Sequence, residues 1–252
     1  MLSIPIGPVR PLTETVFGTI LENMARRQSE SVLYPRLAKW LESSYGCFVT
    51  RTNIGLKHSR VDVLGVRDVG GDLSGEVETI AIEVKRGGQP FATTSGQTRG
   101  YAVYADRVYL ADVRDNGFTR SEMDIASTLG VGLIQIAPRV CREVLSSPHH
   151  RPIPRLQLRV FEKMGYGRCC ICQTLFPVGG CERDYDFRNL SQAGIVKAAE
   201  RKKGFLFWNM TVGQRKRQDD AENGSSHERR FVCSDCVANL FPPTTDRTST
   251  KK

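Results

Sequence analysis

No stretch of this 252-residue sequence approaches the ~18 consecutive apolar residues of a membrane-spanning helix. Residues 1–25 carry Glu14 and Glu22 where a secretory leader would have a basic start and a long apolar run. Those two absences lead us to expect a soluble, cytoplasmic protein with no membrane partner. There is no internal repeat. Histidine is scarce, with four in the chain, and His58, His149 and His150 fall in loop or linker sequence that reads as solvent-exposed. Residues 1–150 also lack a charge excess, with 17 basic side chains against 16 acidic ones.

The formal net charge of +9 therefore belongs to residues 151–252, which hold 19 basic side chains against 11 acidic ones. A polyanion is the partner this predicts, against the alternative of a merely soluble basic surface. Six of the eight cysteines lie in the same part. In a chain without a secretory leader, their paired C-x-x-C spacing argues for metal before disulfides.

The pattern of the rest predicts an α/β fold. An amphipathic helix is expected over 13–27 and a second over about 30–44, its regular part starting near Tyr34 because Pro35 fits only a first turn, and Gly46 ending it. Strands are expected at about 47–53, 60–67 and 78–85, the last two joined by the Gly-rich connection at Val69–Asp72. A helix at about 92–105, a strand at Arg107–Ala111, a helix at 119–129 and a strand at 131–136 complete the order. The Pro-rich segment 146–154 reads as a linker. The expected organisation is an N-terminal helical extension at 1–27, a core at 28–145, the linker, a basic cysteine-containing domain at 155–241 that opens on a helix at about 155–164, and a disordered tail at 242–252. Residues 213–230, polar and basic, read as a mobile loop.

One stretch carries the chemistry. Thr79-Ile80-Ala81-Ile82-Glu83-Val84-Lys85 is an apolar, β-branched run that ends in two opposite charges on one face of a strand. Burying both costs several kcal/mol per ion unless each has a partner. Asp62 stands mid-strand 21 residues earlier, and antiparallel pairing would bring it to Glu83. Two carboxylates held together call for a cation, and Mg²⁺ takes oxygen ligands. A lysine beside them would orient a water or take its proton. An E-x-K triplet by itself also fits a solvated strand face, and Asp62 by itself could pair with Arg60.

Over residues 28–137 the chain resembles the PD-(D/E)XK nuclease superfamily, the fold of many restriction endonucleases and Holliday junction resolvases. Arg60-Val61-Asp62-Val63 and Glu83-Val84-Lys85 are the matching motifs, with Val61 where the name-giving motif has proline. The resemblance implies a restriction-endonuclease-like mixed sheet flanked by helices. It implies that Asp62 and Glu83 hold Mg²⁺ or Mn²⁺, with the Val84 carbonyl as a further ligand, and that Lys85 activates water. Glu30, with Glu42 as its competitor, matches the glutamate of the preceding helix, and Gln97 matches a glutamine often found on the following one. DNA hydrolysis to a 5′-phosphate and a 3′-hydroxyl, by a possible homodimer, is the implied activity. RNA as substrate stays open, as does a non-catalytic nucleic-acid-binding or adaptor protein on a degenerate core. Tyr101 and Tyr104 read as core aromatics.

Cys169 with Cys172, and Cys233 with Cys236, make two knuckles that suit tetrahedral Zn²⁺, with Cys170 or Cys181 able to replace Cys169. The alternative is four unbound buried thiols. A helix near 191–203 and the strand Phe205–Trp208 are expected between the knuckles. Arg201, Lys202, Lys203, Arg215, Lys216 and Arg217, near Phe205, Phe207 and Trp208, are the expected nucleic-acid contacts. His227 is the only histidine between the pairs, so a second nuclease centre is not expected there.

Overall fold

The computed structural model describes residues 29–56, 59–71, 74–178, 182–185, 205–208 and 229–240. The expected helices at 13–27 and 191–203, the six basic residues from Arg201 to Arg217, Cys181 and the expected tail lie outside them.

A 3-10 turn at Glu30–Leu33 leads into α1 (Tyr34–Tyr45), where Pro35 occupies the first turn and Gly46 ends the helix at φ 68°. The left-handed conformation at that stop costs glycine nothing. Then come β1 (Cys47–Leu56), β2 (Ser59–Asp68), β3 (Val77–Lys85), α2 (Phe91–Gly100), β4 (Arg107–Val113), α3 (Arg120–Leu129), β5 (Gly132–Ile136) and β6 (Cys141–Leu145). The six strands form one mixed sheet in sequence order. β1, β2 and β3 are antiparallel, β3 to β5 are parallel, and β6 returns antiparallel. Each parallel step is bridged by a helix, as a crossover requires. The fold is thus α/β as expected, with β6 as a strand the sequence reading missed.

Two apolar layers sandwich the sheet. Leu37 and Leu41 of α1 pack with Val63, Ile80, Ile82 and Ile134 on one face. Leu64, Ala81, Tyr101, Tyr104, Leu110 and Leu133 build the other. β3 is buried along almost its whole length, which explains its β-branched content.

Residues 146–154, expected as a linker, are pinned to this sheet. Ser147 is only 1% exposed, its hydroxyl accepts the Val108 N–H, and the Cβ of any larger residue at Gly132 would meet its backbone nitrogen at 2.7 Å. The His150 N–H donates to the Asp106 carbonyl, and the His150 ring is half-buried rather than free in solvent. Helix α4 (Pro154–Lys163) follows, with Val160, Phe161 and neighbouring Met164 inside the same apolar layer as Tyr101. The reason is amphipathy: α4 has an apolar stripe of its own, and the sheet offers the nearest uncovered surface.

Beyond α4 a small hairpin, β7 (Tyr166–Arg168) and β8 (Leu175–Pro177), leads to β9 (Glu182–Tyr185), β10 (Phe205–Trp208) and β11 (Arg229–Val232), which form a three-stranded sheet. A short helix α5 (Ser234–Leu240) closes the described chain. Arg229 and Arg230, expected at the end of a mobile loop, are paired strand residues. No helix among the described residues is long and apolar enough to cross a membrane.

Candidate functional site

The ladder between β2 and β3 runs from Asp68↔Val77 to Val63↔Ile82 and then stops. One further step would set Asp62 opposite Glu83. There the strands part, and the Val84 N–H donates to Asp62 Oδ2 at 2.8 Å. Asp62 Oδ1 accepts the Tyr34 hydroxyl at 2.6 Å, so a side chain from the first turn of α1 fixes the carboxylate from the other side.

Glu83 is 2% exposed and Lys85 7%. Their two-residue separation puts both on one face, with Lys85 Nζ 2.6 Å from Glu83 Oε1. Glu30 Oε2 lies 3.6 Å from the same ammonium. The Tyr101 hydroxyl reaches Glu83 Oε2 and also the Arg60 carbonyl, the latter at 2.6 Å, so its single proton serves one acceptor at a time. Burial and Glu83 raise the Tyr101 phenol, and the side chain of Gln97, exposed on α2 one turn before it, acts to lower it. The structure therefore gathers Asp62, Glu83, Lys85 and Glu30 directly and Gln97 through Tyr101. Glu42 stays apart, exposed and accepting the Thr50 hydroxyl at 2.8 Å.

The electrostatics follow from burial and crowding. Burial pushes the Glu83 carboxyl up and the Asp62 charge adds to it, while hydrogen bonds from Lys85 and Tyr101 pull it down without cancelling the rise. Burial would lower Lys85, but its bond to Glu83 and the charges of Glu83, Glu30 and Asp62 outweigh that and hold it as an ammonium. Burial and their carboxylate partners raise Tyr34 and Tyr101, so both phenols remain donors.

Tyr34 and Tyr101 are the two residues sequence reasoning missed or placed only in the core. Tyr34 follows Glu30 by four residues, and Tyr101 follows Gln97 by four. That spacing, one helical turn from a candidate residue, was the available signal.

A second cluster forms where β7 and β8 turn. Cys169 begins that turn, its N–H donating to the Thr174 carbonyl at 2.9 Å, and Cys172 lies inside it. Cys233 follows β11 and Cys236 sits in α5, so one knuckle is a hairpin turn and the other a strand-to-helix turn. The four sulfurs lie within 4.8 Å of one another, and Cys172 and Cys233 are 3.6 Å apart. Zinc–sulfur bonds of about 2.3 Å in a tetrahedron separate sulfurs by about 3.8 Å, so this set can hold a metal ion such as zinc.

Burial opposes ionisation of Cys172, but hydrogen bonds from Thr174, Cys233 and Cys236 bring its thiol down to about 6. Burial pushes Cys233 up to about 11. Of the two proposed substitutes for Cys169, Cys170 is exposed and outside the cluster, its N–H donating to the Phe231 carbonyl at 2.8 Å.

No protein-family model matches the chain, and no curated protein matches it in sequence. Among solved structures, the SPO1766 protein of unknown function from Silicibacter pomeroyi is 19% identical, with a TM-score of 0.40, over 54% of this chain and 84% of that one.

Proposed function

We propose that the protein is a divalent-metal-dependent DNA endonuclease, a phosphodiester hydrolase on a restriction-endonuclease-like core of the PD-(D/E)XK type. The observation that carries this reading is the convergence of Asp62, Glu83 and Lys85 where β2 and β3 part. The donor set suits Mg²⁺ or Mn²⁺: two carboxylates close to one another where the strands part, one of them raised by burial and by its neighbour's charge, form a site that a cation would relieve. Asp62 and Glu83 would hold it. A bound divalent cation supplies Lewis-acid stabilisation of the phosphoryl oxygens.

The chain's own residues do the remaining work. Tyr34 and Tyr101 hold the two carboxylates in place. Lys85, kept protonated by its carboxylate neighbours, orients the attacking water by donation, with Glu30 steadying the ammonium. In-line attack forms a bond from water oxygen to phosphorus and breaks the bond to the 3′ oxygen, the water's proton passing to solvent and a solvent proton completing the 3′-hydroxyl, which leaves a 5′-phosphate on the other side. The four cysteines would form a structural Zn²⁺ site, which catalysis does not touch.

One observation favours a non-catalytic nucleic-acid-binding or adaptor protein instead. All four oxygens of Asp62 and Glu83 already accept a hydrogen bond from the protein. Incubation with Mg²⁺ or Mn²⁺ and linear, supercoiled, single-stranded and branched DNA, with RNA in parallel, separates the two. Cleavage that is lost in Asp62→Ala, Glu83→Ala and Lys85→Ala while DNA binding persists supports the nuclease. Full activity in any of the three overturns the site, and no cleavage of any substrate favours the adaptor.

A further inference from the structure

Helix α4 buries Gln157, Val160 and Phe161 against the sheet. On its opposite side Arg155, Arg159 and Lys163 recur every fourth residue, and Arg151 continues the spacing just ahead of the helix. At 1.5 Å rise per residue, successive cations of the helix are about 6 Å apart along the axis. Glu162 is the only carboxylate on α4.

Each end of this row meets a cleft. The C-terminal one, of about 560 Å³, is lined by Lys163, Arg60, Ser59 and the β1 stretch 53–56, with Lys163 Nζ donating to the Gly55 carbonyl at 2.7 Å. The N-terminal one, of about 490 Å³, is lined by Arg99, His150 and Arg151 among others. Arg60 connects the row to the carboxylates. It precedes Asp62 by two residues on β2, and its carbonyl accepts the Tyr101 hydroxyl that also reaches Glu83. Among the described residues Arg60, Arg151, Arg155 and Arg159 have no carboxylate partner. Arg67, Arg107 and Arg114 elsewhere are clamped to Glu78 and Asp112.

We propose that this row, with Arg60, is a phosphate track that holds the sugar–phosphate backbone of a nucleic acid and leads it to Asp62 and Glu83. Unpaired cations at regular spacing along a rigid helix contact phosphates without reading sequence, which fixes the position of a strand rather than its identity. What the track serves rests on the nuclease reading above, but its binding is measured without cleavage.

The test uses the full chain carrying Asp62→Asn, without added Mg²⁺, and fluorescence anisotropy against random-sequence duplex and single-stranded DNA across a salt series. Arg60→Ala/Arg155→Ala/Arg159→Ala should weaken binding alike for all sequences and flatten the log-affinity against log-salt slope by about one per residue removed. The form of DNA on which the triple variant loses slope is the form the track engages. Arg155→Lys/Arg159→Lys, which keeps the charge, should keep the slope. Lys39→Ala/Arg120→Ala/Arg139→Ala, removing equal charge from other exposed positions, should leave it unchanged.

An unchanged slope in the first triple variant, an equal fall in the control triple, or a fall in the lysine variant overturns the track. Normal wild-type cleavage with an unaltered slope would sink the track alone. A flattened slope in a protein that cuts nothing would support the track and sink the nuclease reading alone.

Discussion

Lys85 Nζ lies 2.6 Å from Glu83 Oε1, an ion pair formed two residues apart on a strand that solvent hardly touches. Neither charge is tolerable there alone. Lys85→Met should therefore lower stability by about 3 kcal/mol, the cost of leaving a buried partner unpaired, and should abolish metal-dependent cleavage. Denaturant unfolding beside the cleavage assay checks both. A variant as stable as the wild type would mean that Glu83 does not depend on Lys85.

The second donor to Glu83 gives a separable effect. Tyr101→Phe keeps the ring in the core but removes a hydrogen bond that lowers the Glu83 carboxyl, so that carboxyl should rise further. Less of it is ionised at a given pH, and the acidic limb of the cleavage–pH profile should move upward. The lost bond should cost about 1–2 kcal/mol of stability. An unmoved limb would show that Tyr101 only packs.

For the cysteine cluster, elemental analysis should find one zinc per chain. Cys233→Ser or Cys236→Ser should lose that metal, while Cys170→Ser, outside the cluster, should retain it. Because binding energy of such a site is folding energy, a chelator should lower the unfolding temperature. A folded protein free of metal would remove the assignment.

His150 predicts an acid sensitivity. Its Nδ1 lies 3.1 Å from Arg99 Nη1 and its Nε2 2.8 Å from the Gly130 carbonyl, the pattern of a neutral ring that accepts from the arginine and donates to the carbonyl. Burial lowers its pKa below 6.5, and the charges of Arg99, His149 and Arg107 add to that, while the Gly130 bond opposes them. The folded state thus binds this proton less readily than the unfolded chain. The stabilisation is complete above 6.5 and is lost as pH falls through the folded value. His150→Gln, which does not titrate, should flatten the loss of stability in that range. An identical pH dependence in wild type and variant would contradict this account.

The elements of this fold were legible because their signals are local. Pro35 and Gly46 bracket α1 and β-branched runs mark β2, β3 and β5. β6 was missed because Cys141-Arg142-Glu143-Val144-Leu145 has neither steady alternation nor an apolar run, and is a strand only because β5 offers an open edge. The segment 146–154 was misjudged for a related reason. Proline and serine announce a turn, but only the glycine surface of β5 and the acceptors around Asp106 make it adhere.

The sequence by itself determined that Glu83 and Lys85 share a strand face, since residues two apart always do. It also determined that four cysteines come as two short-range pairs. Only the tertiary structure decided which residues meet them. The parting of β2 and β3, the approach of Glu30 from the 3-10 turn and of Tyr34 from α1, and the placement of Tyr101 after α2 depend on how separate elements pack. The meeting of Cys169 and Cys172 with Cys233 and Cys236 depends on closing a long loop. The basic row of α4 acquired its meaning in the same way. Its spacing is written in the chain, but its adjacency to Arg60 exists only because the apolar side of α4 covers the sheet.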